Sequence, residues 1–233
     1  MISNSDLATS PSQNDLATSP SQNDLATSPS QNDLATLPNQ SDLVTLLKEK
    51  KLINLQNQKN FIFRQIQEAD LSLVSEIEAY SFTEPWSKAS IASTLCSDNM
   101  FFYCMLIKTD ILSKQLSEQS EELHKCNVAN LELMHTVLAG YVGLNTVCGE
   151  TEITNVAIRK ELRGLGLGNK LISLLIEEEK KKETRKLFLE VRESNLPAIR
   201  TYKSNGFVET GLRKNFYKKP TESAILMELA ISK

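Results

Sequence analysis

Through the first forty residues, large apolar side chains come one per nine positions, at Leu7, Leu16, Leu25 and Leu34, separated by Ser, Pro, Asn, Gln and Asp. The unit Asp-Leu-Ala-Thr-Ser-Pro-Ser-Gln-Asn begins at Asp6 and recurs from Asp15, Asp24 and Asp33, with a decayed copy at Asp42. A nine-residue period is too short for a helical solenoid unit. So little apolar area cannot offset roughly 1–2 kcal/mol of backbone entropy per residue, so residues 1–45 are expected to be a disordered repeat tail. Leu43, Leu46, Leu47 and Ile53 then fall near helical spacing, with lysines between them, which suggests a short linker helix within 46–60.

A domain's periodicities set in at Phe61. Phe61-Ile-Phe-Arg-Gln-Ile66 reads as a strand, and Leu71, Val74, Ile77 and Glu78 mark one face of a helix. Ser87 is a suitable N-cap for a second helix running to Leu95. Apolar, aromatic residues 101–107 predict a strand, as do 137–147 and 151–158, whereas 109–135 is polar and irregular and reads as an insertion between two strands. A helix at 167–183, a strand at 187–191, a helix at 195–204 and two closing strands complete residues 61–233. The expected fold class is mixed α/β, with an α/β crossover in the middle and an antiparallel hairpin at each end.

Composition narrows the function classes. The four cysteines, Cys96, Cys104, Cys126 and Cys148, form no C-x-x-C pair, and there are two histidines, so neither a zinc site nor a disulfide framework is expected. The net charge of −3 divides unevenly: residues 1–47 carry five aspartates and no Lys or Arg, and the remainder is +2. A near-neutral body has no electrostatic footprint for nucleic acid. No run approaches the roughly 18 apolar residues of a membrane span, and the polar start does not read as a secretory signal. The expectation is a cytoplasmic monomer.

One loop carries recognisable chemistry. After the strand ending at Ile158, residues 163–169 read Arg-Gly-Leu-Gly-Leu-Gly-Asn and open a helix. Gly164, Gly166 and Gly168 let backbone N–H groups converge without a Cβ in the way. The helix start adds unpaired amides and a positive dipole end, which suits a pyrophosphate. A dinucleotide loop would read G-x-G-x-x-G and a P-loop would end in Gly-Lys-Ser or Gly-Lys-Thr, and neither pattern is present. A second informative run is Leu187-Phe-Leu-Glu-Val-Arg-Glu-Ser-Asn195, an apolar strand carrying Glu190. Burial would raise its pKa toward the range useful for a general base, whereas the plain alternative is a strand-end carboxylate in solvent. Asn195 suits a helix N-cap, and Tyr202 lies on the helix that follows.

Arg163-x-x-Gly166-x-Gly168 resembles the R/Q-x-x-G-x-G/A signature of the GCN5-related N-acetyltransferase (GNAT) family. Glu190-Val-Arg-x-Ser-Asn195 and Ala198-Ile-x-x-Tyr202-x-x-x-Gly206-Phe207 resemble its ribosomal-protein-alanine N-acetyltransferase (RimI-like) branch. Further likenesses lie in Glu78 through Pro85-Trp86, in Thr154-Asn-Val-Ala-Ile158 and in Arg213-Lys-Asn-Phe-Tyr217. The resemblance spans about 61–231 and implies a central, mostly antiparallel sheet with flanking helices. It implies acetyl-CoA as co-substrate, held by Arg163, Gly164, Leu165, Gly166, Leu167, Gly168 and Asn169 at the pyrophosphate and by Val156, Ala157, Ile158 and Asn195 along the pantetheine arm. It implies Glu190 as general base and Tyr202 as general acid, no metal, and the N-terminal alanine of small-subunit ribosomal protein 18 as acceptor. Three features depart from the branch: Phe216 stands where Tyr is usual, Ser223 where Asp is usual, and the insertion after Ile107 is long. Another protein N-terminus, a lysine or a polyamine therefore stays open as acceptor, and a non-catalytic acetyl-CoA-binding module is the alternative class.

Overall fold

The apolar runs on either side of the insertion become neighbouring strands at the heart of a seven-stranded sheet. The computed structural model describes residues 55–109 and 136–231, together with Gln40, Ser41, Val44, Thr45 and Ile53. The expected repeat tail through residue 39 and all of the expected insertion except Thr109 lie outside the described residues. In chain order the elements are β1 (Phe61–Gln65), α1 (Leu71–Ser81), α2 (Lys88–Ser93), β2 (Met100–Lys108), β3 (Thr136–Val147), β4 (Glu150–Ile158), α3 (Leu167–Lys180), β5 (Lys186–Arg192), α4 (Leu196–Ser204), β6 (Val208–Lys218) and β7 (Thr221–Ala230). The strand order is β1-β2-β3-β4-β5-β7-β6. Among the described residues β4 and β5 are the parallel pair, joined through α3, and the other neighbours run antiparallel.

Two apolar clusters hold the layers together. Leu167, Leu171, Ile172 and Leu175 of α3 and Ile199 and Tyr202 of α4 pack with Ala139, Val142, Ile153 and Leu189 of the sheet. Leu71, Val74 and Ile77 of α1 and Ile91 of α2 pack with Phe102, Cys104, Leu138 and Tyr141. Cover on both faces is why β2 and β3 read as continuous apolar runs and not as alternating ones. On α3 the buried stripe includes Ile172, whereas Leu174 is only half-buried. The far end of α3 is fixed by Glu179, fully buried yet satisfied: its oxygens accept from Thr151 Oγ1 at 3.2 Å, from Thr184 Oγ1, and from Lys182 Nζ at 2.7 Å.

Local capping behaves as the sequence suggests. Ser87 Oγ accepts from Ser90 N at 3.0 Å and starts α2, which is shorter than expected and ends in a 3-10 turn at Thr94–Cys96. One contact falls on the tail side of the expected boundary at 45. Gln40 Nε2 donates to the Thr136 carbonyl at 2.9 Å and its Oε1 accepts from Leu138 N at 3.1 Å. The side-chain amide thus serves β3 as a stretch of strand would, beyond the last β4 partner at Gly140, and Val44 is 2% exposed within the core.

Candidate active site

The sheet opens between its two central strands. β4 and β5 stay in register from Glu150↔Lys186 to Ile153↔Leu189 and no further. Beyond that point Asn155, Val156, Ala157 and Ile158 still pair with β3, and Glu190, Val191 and Arg192 with β7. The cause is a bulge: Gly143 faces Asn155 but Leu144 faces Ile153, leaving Thr154 as an extra residue in β4. An inserted residue bends and twists its strand. The β5-facing backbone of Val156, Ala157 and Ile158 is left without a strand to pair with, and buried peptide groups need partners. A ligand carrying amides along an extended arm fits that edge.

The glycine loop lies at the head of the gap. A 3-10 turn at Lys160–Leu162, with Leu162 fully buried, anchors it to the core. Gly164 and Gly166 have φ of +79° and +78°, a region that L side chains enter only with strain. A Cβ on Gly164 would meet no protein atom within 4 Å, and one on Gly168 only Ile158 Cγ1 at 3.9 Å, so the concave side of the loop is open. A Cβ on Gly166 would come within 2.9 Å of Leu55 Cδ1. Gly166 is the N-cap of α3 and supplies no side-chain cap, so the first amides of the helix, at Leu167, Gly168 and Asn169, are available to an anion. No carboxylate lies among residues 162–170 to oppose one. A pyrophosphate fits this donor set.

Arg163, expected as a charged phosphate donor, is held by protein contacts at the loop. Its Nε donates to the Ile158 carbonyl at 3.0 Å, its Nη2 to Ser81 Oγ at 2.9 Å, and the guanidinium lies 5.8 Å from the Tyr80 ring centre. The side chain braces the loop against α1. Asn169 Oδ1 likewise accepts from Asn205 Nδ2 at 2.6 Å and ties α3 to the end of α4, which leaves its backbone N–H for the cradle. Asn195 caps α4 through a 3.3 Å bond from Ala198 N, and its amide nitrogen has no further protein bond among the described residues.

Glu190 lies between the two surroundings its strand allowed, buried apolar core and open solvent. Strand alternation buries Leu187, Leu189 and Val191 and leaves Phe188, Glu190 and Arg192 half-buried. Glu190 directly follows the last β4–β5 pair, Ile153 with Leu189. Its Oε1 pairs with Arg213 Nη1 of β6 at 2.9 Å. Tyr217 donates its hydroxyl to the Glu190 carbonyl at 3.3 Å, and its own pKa is raised, by burial first and then by the Glu190 charge. Tyr202, 7% exposed, packs against Phe207 and makes no hydroxyl hydrogen bond to the protein among the described residues. Burial, and secondarily the neighbouring Tyr217, pushes its pKa well above the ordinary phenol value. Tyr217 thus touches the Glu190 backbone and lies near enough to Tyr202 to influence its hydroxyl.

Two of these neighbours escaped role assignment from the sequence. Arg213 and Tyr217 lie within a recognised segment, but their contacts depend on how β6 bends. The register shifts between Arg213 and Tyr217, and Asn215 takes φ +53°, which Asn tolerates better than most residues. Glu222 of β7 then fixes the hairpin to β5 through Arg192 at 3.1 Å and to the Ser194 amide, and hydrogen bonding from Ser194 first, then Arg192, holds its pKa low. On the opposite side, the loop between α1 and α2 meets the β6–β7 turn through Glu84 Oε1 and Lys219 Nζ at 2.9 Å. Among the described residues no cluster of His, Cys, Asp or Glu could hold a metal ion, and no helix is long and apolar enough to cross a membrane. Cys96, Cys104 and Cys148 are free thiols.

Comparison with known proteins agrees with this geometry. The family model described as Acetyltransferase (GNAT) family matches residues 77–207. A Bacillus subtilis protein that bears the name ribosomal protein bS18-alanine N-acetyltransferase provisionally is 36% identical over 169 residues, covering 72% of this chain and 95% of that protein. The Escherichia coli ribosomal protein bS18-alanine N-acetyltransferase is 30% identical over 171 residues, covering 72% and 95%. The crystal structure of the ribosomal-protein-S18-alanine N-acetyltransferase from Escherichia coli superposes with a TM-score of 0.56 at 27% identity, over 74% of this chain and 95% of that one. With its split sheet and its glycine cradle, the chain belongs to the GNAT family and is an acetyl-CoA-dependent N-acetyltransferase similar to the RimI branch.

Proposed function

We propose that the chain transfers the acetyl group of acetyl-CoA to the N-terminal alanine amine of small-subunit ribosomal protein 18, with Glu190 as general base and Tyr202 as general acid. Acetyl-CoA supplies the acyl group already activated as a thioester. In this reading the amides of residues 164–169 hold the pyrophosphate. The unpaired edge of β4 at Val156, Ala157 and Ile158 accepts the pantetheine amides as it would another strand, and the Asn195 amide adds a further contact.

Glu190, directly or through one water, takes a proton from the acceptor ammonium, which competes with the Arg213 guanidinium for the same carboxylate. The neutral amine attacks the thioester carbonyl, and a backbone N–H of the Val156 stretch donates to the carbonyl oxygen as it gains charge. The Tyr202 hydroxyl gives its proton to the departing sulfur, its burial having kept it protonated until then. No covalent enzyme intermediate is needed. The observation that carries this reading is the unpaired edge of β4 beside the glycine loop, with Glu190 on β5 just past the last β4–β5 pair. Relatives named for this activity, matched over 95% of their length, support the acceptor.

Glu190→Gln and Tyr202→Phe test the two roles. Each is expected to lower kcat by about 10²–10⁴-fold, with acetyl-CoA still binding by calorimetry. Full turnover by either variant removes that residue from the mechanism. A second reading, in which a different N-terminus is acetylated, draws on Phe216. It packs under Arg213 and edge-on to Tyr217 and offers no hydroxyl to a peptide.

A further inference from the structure

The last turns of α1 bury a carboxyl group that the chemistry above does not use. Glu78 is 0% exposed. Its Oε1 accepts from the backbone N–H of Trp86 at 3.0 Å and from Asn155 Nδ2 at 3.1 Å, while Oε2 is buried without a partner. Trp86 belongs to the loop between α1 and α2, the loop that reaches the β6–β7 turn through Glu84 and Lys219. Asn155 adjoins Val156 in the part of β4 that has left β5. A single oxygen therefore ties a loop on the acceptor side to the strand beside the thioester site.

We propose that Glu78 is a positioning residue that holds the α1–α2 loop against β4, so that the acceptor wall and the acetyl-CoA strand keep one fixed spacing. The proposal rests on the N-acetyltransferase reading, not on the identity of the acceptor. No Lys or Arg among the described residues forms an ion pair with Glu78, and the end of α1 is a poor place for a negative charge because the helix carbonyls point toward it. Burial raises its pKa, offset in part by the bonds from Trp86 and Asn155. Burial shifts the balance toward the neutral acid, and a carboxamide of the same shape carries no charge to bury. Glutamine keeps an Oε1 that can accept from both donors. Alanine leaves both donors without an acceptor, and a buried donor stripped of its partner is costly.

Trp86 is the sole tryptophan, so its fluorescence reports on the loop directly. The experiment compares the full chain with Glu78→Ala and Glu78→Gln, using acetyl-CoA and an N-terminal alanine peptide of small-subunit ribosomal protein 18. Glu78→Ala is expected to raise the peptide KM about tenfold or more, with acetyl-CoA Kd within about threefold and Trp86 more open to acrylamide quenching. Glu78→Gln is expected to restore all three to wild-type values. A wild-type peptide KM in Glu78→Ala, or a Gln variant as impaired as the Ala variant, overturns the proposal. So does a loss confined to kcat. If Glu78→Ala does not fold, Asn155→Ala removes one end of the tie, and an unchanged peptide KM there is equally fatal. If the wild type does not acetylate this peptide, the acceptor assignment fails, and the quenching comparison decides the role of Glu78.

Discussion

Replacing Gly140 by alanine places a methyl group where β3 has no room for it. The new Cβ would lie 2.5 Å from the Ala157 carbonyl oxygen, 2.6 Å from Ile158 Cδ1 and 3.3 Å from Ile158 Cα. The isoleucine side chain can turn away, but the carbonyl belongs to β4 and moves only with its strand. Relief therefore shifts β4 at the residues whose free edge faces the gap. Overpacking of this kind costs about 1–3 kcal/mol. For a domain of this size that cost lowers Tm by about 3–10 °C. Because the displaced residues are the expected partners of the pantetheine arm, acetyl-CoA affinity should fall by roughly tenfold, as binding geometry tolerates little displacement. Thermal unfolding gives the first quantity and calorimetric titration with acetyl-CoA the second. Gly168→Ala is the control for Tm alone, since its Cβ meets only Ile158 Cγ1 at 3.9 Å and its φ is not positive. Wild-type Tm and affinity in Gly140→Ala would refute the argument, and so would an equal loss of Tm in Gly168→Ala.

Two further outcomes follow from buried polar groups. The raised pKa of Glu78, caused chiefly by burial, means that its contribution to stability is complete below the ordinary value of 4.5 and is lost as pH rises through the folded-state value. The Tm advantage of Glu78→Gln over wild type should therefore widen with rising pH; an advantage that is flat or shrinks contradicts the assignment. Gln40→Ala removes both bonds to β3 and should lower stability by about 1–2 kcal/mol in a denaturant titration, whereas an unchanged midpoint would show that these bonds do not hold the segment.

What the sequence made legible was local. The glycine loop follows from Gly164, Gly166 and Gly168 standing between a strand and a helix, and Ser87 and Asn195 cap the helices they precede. The pairing that opens the site was not legible, because it depends on Thr154 bulging against a strand that is distant in sequence. The same distance explains why the sequence left the surroundings of Glu190 open. Alternation gives the face a strand residue takes, but not where the neighbouring strand departs. Arg213 lies 23 residues from Glu190, and Gln40 lies 96 residues from Thr136, so no window of the chain contains both partners. Arg163 is instructive in another way. Its position matches the family signature, and its side chain also bonds Ser81 of α1, a contact between residues 82 apart in the chain.

The central claim is that the open end of the β4–β5 gap moves acetyl groups onto a protein N-terminus. Its most direct test is to incubate the full chain with acetyl-CoA and a panel of ribosomal N-terminal peptides and to locate any added acetyl group by mass spectrometry. The account predicts acetylation of the alanine α-amine of the small-subunit ribosomal protein 18 peptide, and its loss in Glu190→Gln. Acetylation at lysine side chains only, or none on any peptide while acetyl-CoA binds, would contradict it.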